Sequence, residues 1–301
     1  MATATLQPII QAVEVWSADP GTETLRPSSG IADVDAGVAK YVVERTLRGL
    51  CPVVLNREDM AACWSSDSLA SAVMTFPVVC KQQVRACVVL SICCPDDTMA
   101  AFEIWSRNER DELGLNGAVF ASLSRFASIS QYVKFPRGSG LPGQSWEDRE
   151  VKLITGLGAS PNFMRAAGAR AGGLDVGLAI PVMTTAHDLN SVILLLSARA
   201  TPITRLFEVW DWDEEAGVAT RRNAATSYCH AAMKAGESMS FAKGEGVVGR
   251  VVETGIPLAS DELEQVAEKR YASLSSDQIS CVVALPVFVG ELLKSVVVLW
   301  N

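Results

Sequence analysis

Histidine is nearly absent from this chain: two in 301 residues, His187 and His230. Neither has a cysteine or histidine partner at metal-ligand spacing, so the expectation is no metal site. Basic residues are outnumbered, 26 Lys and Arg against 34 Asp and Glu, for a formal charge of −8 and a pI near 5.0. No basic run occurs, and without one neither the phosphate backbone of a nucleic acid nor an anionic membrane is a favourable partner. Long apolar runs are missing too. Stretches such as SVILLL at 191–196 are far too short to span a bilayer as a helix. The N-terminal MATATLQPIIQAVEVW carries no cationic region ahead of an apolar core, so a soluble, cytoplasmic protein is expected. There is no C-x-x-C pair either. Six of the eight cysteines (Cys51, Cys63, Cys80, Cys87, Cys93, Cys94) lie in the first third, and they read as reduced, largely buried thiols.

What the chain does have is a threefold internal repeat, and a repeat decides architecture before any motif does. VEVWSAD (13–19) returns as FEIWSRN (102–108) and as FEVWDWD (207–213), each an alternating run that predicts a half-buried strand, with Trp16, Trp105 and Trp210 marking the register. Downstream, FPVV (76–79), IPVM (180–183) and LPVF (285–288) each open a closing hairpin whose second strand is RACVVLS, NSVILLLS or KSVVVLW. From the Trp to the hairpin Pro is 76 residues in the second and third copies and 61 in the first, which is therefore shortened. GVAKYVVE (37–44), GLPGQSWE (140–147) and GVVGRVVE (246–253) align between these landmarks, ending on Glu44, Glu147 and Glu253. The expected units are 1–96, 97–202 and 203–301, each of the size of one small mixed domain. Strands, then helices, then strands, without regular β-α-β alternation, predict an α+β fold with antiparallel sheets.

GSGLPG (138–143) and GEGVVG (244–249) both spell G-x-G-x-x-G. A dinucleotide loop needs a long crossover helix and an acidic residue about 20 positions on. After Gly143 only QSWEDRE precedes the apolar VKLIT, and at 20 positions on stands Phe163. Gly138, Gly140, Gly143, Gly244, Gly246 and Gly249 are therefore read as structural, supplying tight backbone geometry before a short helix. Residues 160–171, SPNFMRAAGARA, predict a helix capped by Ser160, and DELEQVAEKRYA (261–272) one capped by Asp261.

FPRGSGLPGQSWEDREVKLITGLGASPNFMRAAGARAGGLDVGLAIPVM in the second unit, and FAKGEGVVGRVVETGIPLASDELE with CVVALPVF in the third, resemble the GAF domain, a small-molecule-binding and regulatory module. The resemblance covers about 97–301, and 1–96 only through the repeat. It implies a central antiparallel sheet with helices on one side and a pocket roofed by the segment from Phe163 to Ala171. Trp146, Phe163, Arg165 and Ile180 are the candidate ligand contacts, Phe163 as an apolar wall and Arg165 as an anion-binding guanidinium.

Fold does not choose among functions. Cys229-His230 matches the dipeptide that carries the chromophore in bilin-binding GAF domains, but it precedes the glycine loop instead of the closing strands. The signature of the cyclic-nucleotide subclass is not found. Clustered cysteines in unit one leave open a thiol enzyme resembling the free methionine sulfoxide reductases, although that unit has no His to activate a thiolate. The leading expectation is a non-catalytic module without cofactor, binding an unidentified small molecule or signalling protein. With no kinase, cyclase or DNA-binding segment in the sequence, it would act through a separate partner. A scaffold with self-filled pockets is the alternative, and homo-oligomerisation is left open. Short links at 93–100 and 197–204 leave two ways of joining the units, three sequential sheets or strands exchanged between neighbours.

Overall fold

A computed structural model of the chain describes residues 9–18, 24–32, 34–60, 64, 69–226, 233–234, 237, 239–263 and 279–301. Unit one contains β1 (Ile10–Ala18), β2 (Leu25–Ile31), α1 (Ala36–Gly49), β3 (Val54–Asn56), β4 (Ala72–Cys80) and β5 (Gln83–Ile92). Unit two contains β6 (Ala100–Arg107), β7 (Glu112–Phe120), α2 (Ser124–Ser130), β8 (Lys134–Pro136), α3 (Gly140–Asp148), β9 (Lys152–Thr155), α4 (Ala166–Ala171), β10 (Leu174–Met183) and β11 (Leu189–Ala198). Unit three contains β12 (Leu206–Asp213), β13 (Val218–Thr226), β14 (Ser240–Ala242), α5 (Gly246–Thr254), β15 (Leu258–Ser260), β16 (Val282–Val289) and β17 (Leu292–Trp300).

The sheet orders are β2-β1-β5-β4-β3, β8-β7-β6-β11-β10-β9 and β14-β13-β12-β17-β16-β15, one order three times, with the small outer strand missing from the described part of unit one. All pairings are antiparallel. These are three α+β units of one design. Each keeps its own strands: β5 pairs with β1, and β11 with β6, so strands are not exchanged between neighbours.

Irregularities repeat as faithfully as strands. The first hairpin is bulged immediately before the Trp in every copy, at Val15/Trp16, Ile104/Trp105 and Val209/Trp210. The closing hairpin is bulged at Val78/Val79, Val182/Met183 and Val287/Phe288. A bulge raises local twist and re-aims the strand. That six recur in register means the copies share curvature as well as strand order.

The sheets do not sit as independent beads. Alternation along each closing hairpin gives it two apolar faces. In β11, Val192, Leu194 and Leu196 join unit two's own core, while Ile193 and Leu195 join a core shared by all three units. Residues of β4, β10 and β16 meet at the centre, where Phe76 and Val78, Ile180 and Val182, and Leu285 and Val287 line a void of only about 30 Å³. The repeated F/I/L-P-V motif is thus the axis of a pseudo-threefold assembly. Around that axis the edge strand of each unit contacts the second strand of the next: β3 on β7, β9 on β13, β15 on β2. The ring closes within one chain. Polar contacts follow the same seams, with Asn223 Nδ2 donating to the Leu153 carbonyl at 2.7 Å and Arg222 paired with Glu150 at 2.7 Å.

No described helix is long and apolar enough to cross a membrane. The aligned segments at 37–44, 140–147 and 246–253 do lie in α1, α3 and α5. The helix expected over 160–171 is shorter: α4 begins only at Ala166. Phe163 and Arg165 both turn inward, and residues two apart cannot share a helix face, so the helix starts after them. Its counterpart at 261–272 lies outside the described residues from 264 onward.

Candidate functional site

Residues two apart on a strand share a face, so the Trp that marks each repeat brings the Glu two positions earlier with it. In unit two both Glu103 and Trp105 are fully buried, and Trp105 Nε1 donates to Glu103 Oε2 at 2.7 Å. Trp210 and Glu208 repeat this at 3.2 Å, and Trp16 and Glu14 at 2.9 Å in a half-buried setting. A carboxylate sealed from water needs a cation and further donors to be tolerated at all.

In unit two that cation is Arg165, from the turn leading into α4. Its Nη1 donates to Glu103 Oε1 at 2.6 Å and its Nη2 to Glu103 Oε2 at 2.8 Å, a two-pronged pair with side chains 2% and 0% exposed. Nη1 also donates to Ser130 Oγ at 2.6 Å, and Ser130 in turn donates to the Phe126 carbonyl at 2.8 Å. Four rings surround the guanidinium carbon: Phe126 at 4.6 Å, Trp105 at 5.2 Å, Phe163 at 5.4 Å and Phe135 at 5.7 Å. Cation–π attraction is strongest where water is excluded, as here. One group is left over: Arg165 Nε is buried with no hydrogen-bond partner.

Unit three neutralises its equivalent carboxylate differently. Glu208 takes Arg221 at 2.8 Å from the adjacent strand β13, and accepts from Trp300 Nε1 at 2.9 Å. Arg221 Nη2 donates to the carbonyl of Met233. The cation in unit two comes from the turn before α4, and the one described in unit three from the sheet.

Trp146, Phe163 and Arg165 are thus brought together on one side of the second sheet, in its outer core. Trp146 lies beneath Arg107, whose guanidinium is 5.8 Å from the ring centroid. Ile180 is not with them; it lies on the opposite face, at the central void. The charge of Arg165 is matched by Glu103, which removes the basis for reading it as an anion-binding group. Beside the lid runs a groove of about 510 Å³ between α2 and α4, lined by Leu123, Phe126, Ile129, Ala167 and Gly168 among others. Phe126 is a wall of both groove and aromatic box.

Glu103, Ser130, Glu208 and Arg221 were not among the sequence-derived candidates. The signal was there in E-x-W, an acidic residue on the same strand face as the repeat Trp in three copies.

The glycine loops bind to themselves. Gly138 N–H donates to the Gly143 carbonyl at 2.9 Å, and Gly244 N–H to the Gly249 carbonyl at 2.8 Å. A methyl group at Gly143 would stand 2.3 Å from the Pro136 carbonyl oxygen, and one at Gly249 2.0 Å from that of Ala242. Gly138 and Gly244 have φ of +79° and +82°. Asp35 takes over in unit one by capping α1 with its side chain.

Among the described cysteines, burial pushes Cys87 up to about 12 and moves Cys51, Cys94 and Cys281 upward as well. Thiolate chemistry requires the opposite direction. Cys80 and Cys87 lie in strands and are buried, whereas Cys93 falls just beyond β5 and is half-buried. His187 is exposed in its turn beside Arg149, and no group of three potential metal ligands occurs among the described residues. Cys229 and His230 lie outside them.

No family model matches the sequence, and no curated protein aligns with it. Solved structures similar to parts of the chain include the GAF domain/HD domain protein from Geobacter sulfurreducens (15% identity, TM-score 0.29, 35% of this chain and 66% of that one). A GAF domain of A. aeolicus nlh2 in an inactive state is similar at 16% identity and TM-score 0.27, over 34% of this chain and 58% of that one. The free methionine-R-sulfoxide reductase from Neisseria meningitidis, in complex with its substrate, is similar at 16% identity and TM-score 0.26, over 33% of this chain and 52% of that one. The chain spans about two thirds of the first of these structures and little more than half of the other two.

Proposed function

We propose that this chain is a non-catalytic regulatory module of three fused GAF-like units whose second unit holds a ligand site closed by its own lid. The observation that carries this reading is the seating of Arg165. A buried carboxylate in an aromatic box is neutralised by a side chain from a short lid segment and not by the sheet beneath it. Within 160–167 only Phe163 and Arg165 are buried, while Met164 is 56% exposed and Pro161, Asn162 and Ala167 face solvent. Two side chains therefore hold this stretch down, and a molecule that replaces either would release it.

Its signal would pass to a separate protein, as a change in the lid surface and the adjoining groove. Units one and three then serve as the frame, since their sheets share the central core. The direction of the cysteine shifts supports a role without thiol catalysis.

Native mass spectrometry of the full chain together with hydrogen exchange of residues 160–172 tests this. A retained small molecule whose removal changes exchange in that segment is the expected result. Absence of any retained molecule, with exchange in 160–172 indifferent to metabolite fractions, would favour the scaffold reading. Phe163 and Arg165 occupying the space beneath the lid is the observation that speaks for that second reading.

A further inference from the structure

The box around Glu103 has a definite chemical preference that its present occupant only partly satisfies. It offers two carboxylate oxygens side by side, the hydroxyl of Ser130, and four aromatic rings within 5.7 Å of the central carbon. Two parallel N–H donors on one planar carbon match the carboxylate, and the rings reward a flat, delocalised, weakly hydrated cation. The hydrogen bonds are all made by the terminal nitrogens of Arg165. Its Nε, by contrast, brings a proton into the box that nothing accepts. A buried donor without an acceptor is unfavourable by more than the bond itself is worth.

We infer that the Glu103 box is a binding site for a free amidinium or guanidinium cation, with Arg165 as a tethered stand-in that such a ligand displaces. This inference rests on the lid reading above and gives its ligand a chemical class. An amidinium keeps both NH2 groups for Glu103 and Ser130 but carries carbon where arginine has Nε, so it leaves no orphaned donor. The ligand's substituent leaves the box past Phe126, which is also a wall of the groove between α2 and α4. Because a tethered competitor is present at high effective concentration, the wild-type affinity is reduced by the fraction of time the lid is open.

The test uses the full chain, with benzamidine and phenylguanidine as probes followed by calorimetry and thermal shift. Wild type is expected to bind benzamidine weakly and to show faster hydrogen exchange across 160–172 on binding. Arg165→Ala is expected to bind it at least tenfold more tightly, the scale of one lost competitor contact, and Arg165→Ala with Glu103→Gln not at all. Benzamidine should exceed phenylguanidine by about tenfold if the orphaned Nε–H is what separates them. If Arg165→Ala does not fold alone, recovery of folding with acetamidine but not with its neutral isostere acetamide is the equivalent positive result. No binding to Arg165→Ala, or binding there but none to wild type up to the solubility limit, overturns the inference. A different molecule retained in native mass spectra, with 160–172 responding to it, would then leave the lid reading intact and this ligand class refuted.

Discussion

Units two and three carry the same buried Glu and the same Trp, in the same sheet position, yet take their arginine from different places. In unit three Arg221 sits on β13 opposite Trp210, so a cation for Glu208 is supplied from within the hairpin itself. In unit two the equivalent strand β7 supplies no cation to Glu103, and Arg165 comes from 62 residues downstream. One arrangement makes the ion pair part of the frame. The other makes a buried ion pair conditional on where a six-residue helix lies. The same electrostatic requirement is met from within the sheet in one copy and from the turn before α4 in the next.

The largest effect should come from attacking what the two units share. Leu285→Asp would place an unpaired charge in the central core beside Phe76 and Ile180, and should lower stability by more than about 4 kcal/mol, with all three sheets unfolding together in one denaturant transition. Separate transitions would show that the sheets are independent after all. The same question can be asked without a core substitution: a protease site inserted at the exposed Asp96 should yield two pieces that co-elute on gel filtration, because the shared core outlasts the cut.

Next in size is the comparison itself. Arg165→Ala and Arg221→Ala each take an arginine away from a buried carboxylate, and each should lower stability, by about 3–5 kcal/mol for Arg165→Ala. Only the first should speed hydrogen exchange in 160–172. If Arg221→Ala does so equally, the lid is not specifically latched by Arg165.

Smaller effects follow from the loops that the two units have in common. Gly143→Ala and Gly249→Ala drive a methyl group into a backbone carbonyl and should each lower stability by about 1–3 kcal/mol, whereas Gly156→Ala, with φ of +70° and open space around it, should lower it by about 1 kcal/mol through backbone strain alone. Equal effects at these positions would mean the steric clash is relieved by loop movement.

A titration separates unit one from both. Burial raises the Cys87 thiol to about 12, so its neutral form is the folded form. Its contribution is complete below its ordinary value of 9.0 and is lost as pH rises from there towards about 12. Cys87→Ala should therefore flatten the loss of stability over that window, measured by urea unfolding at successive pH values. Reaction of native Cys87 with a thiol reagent at neutral pH should be slow, and rapid labelling would show local opening around β5.

Much of this was legible in advance, for a physical reason that particular residues make plain. Strand registers around Trp16, Trp105 and Trp210 could be read because alternation of apolar and polar residues is a local property. The glycine loops could be recognised as structural because too little chain follows Gly143 to form a crossover helix. The start of the lid helix could not. Local propensity favours Ser160 as a cap, but Phe163 and Arg165 are both buried, Arg165 through partners on α2 and β6, and tertiary packing overrode the local preference.

By itself, the sequence determined the threefold repeat, the order of elements within each unit and the α+β class. All of these follow from periodicity and spacing along the chain. Only the tertiary structure decided that the units keep their own strands, that F/I/L-P-V motifs some hundred residues apart form one axis, and that Glu103 is answered by Arg165 while Glu208 is answered by Arg221. Those outcomes depend on which faces and charges meet in space. A sequence specifies that a buried Glu must find a cation, but which one reaches it is set by the fold.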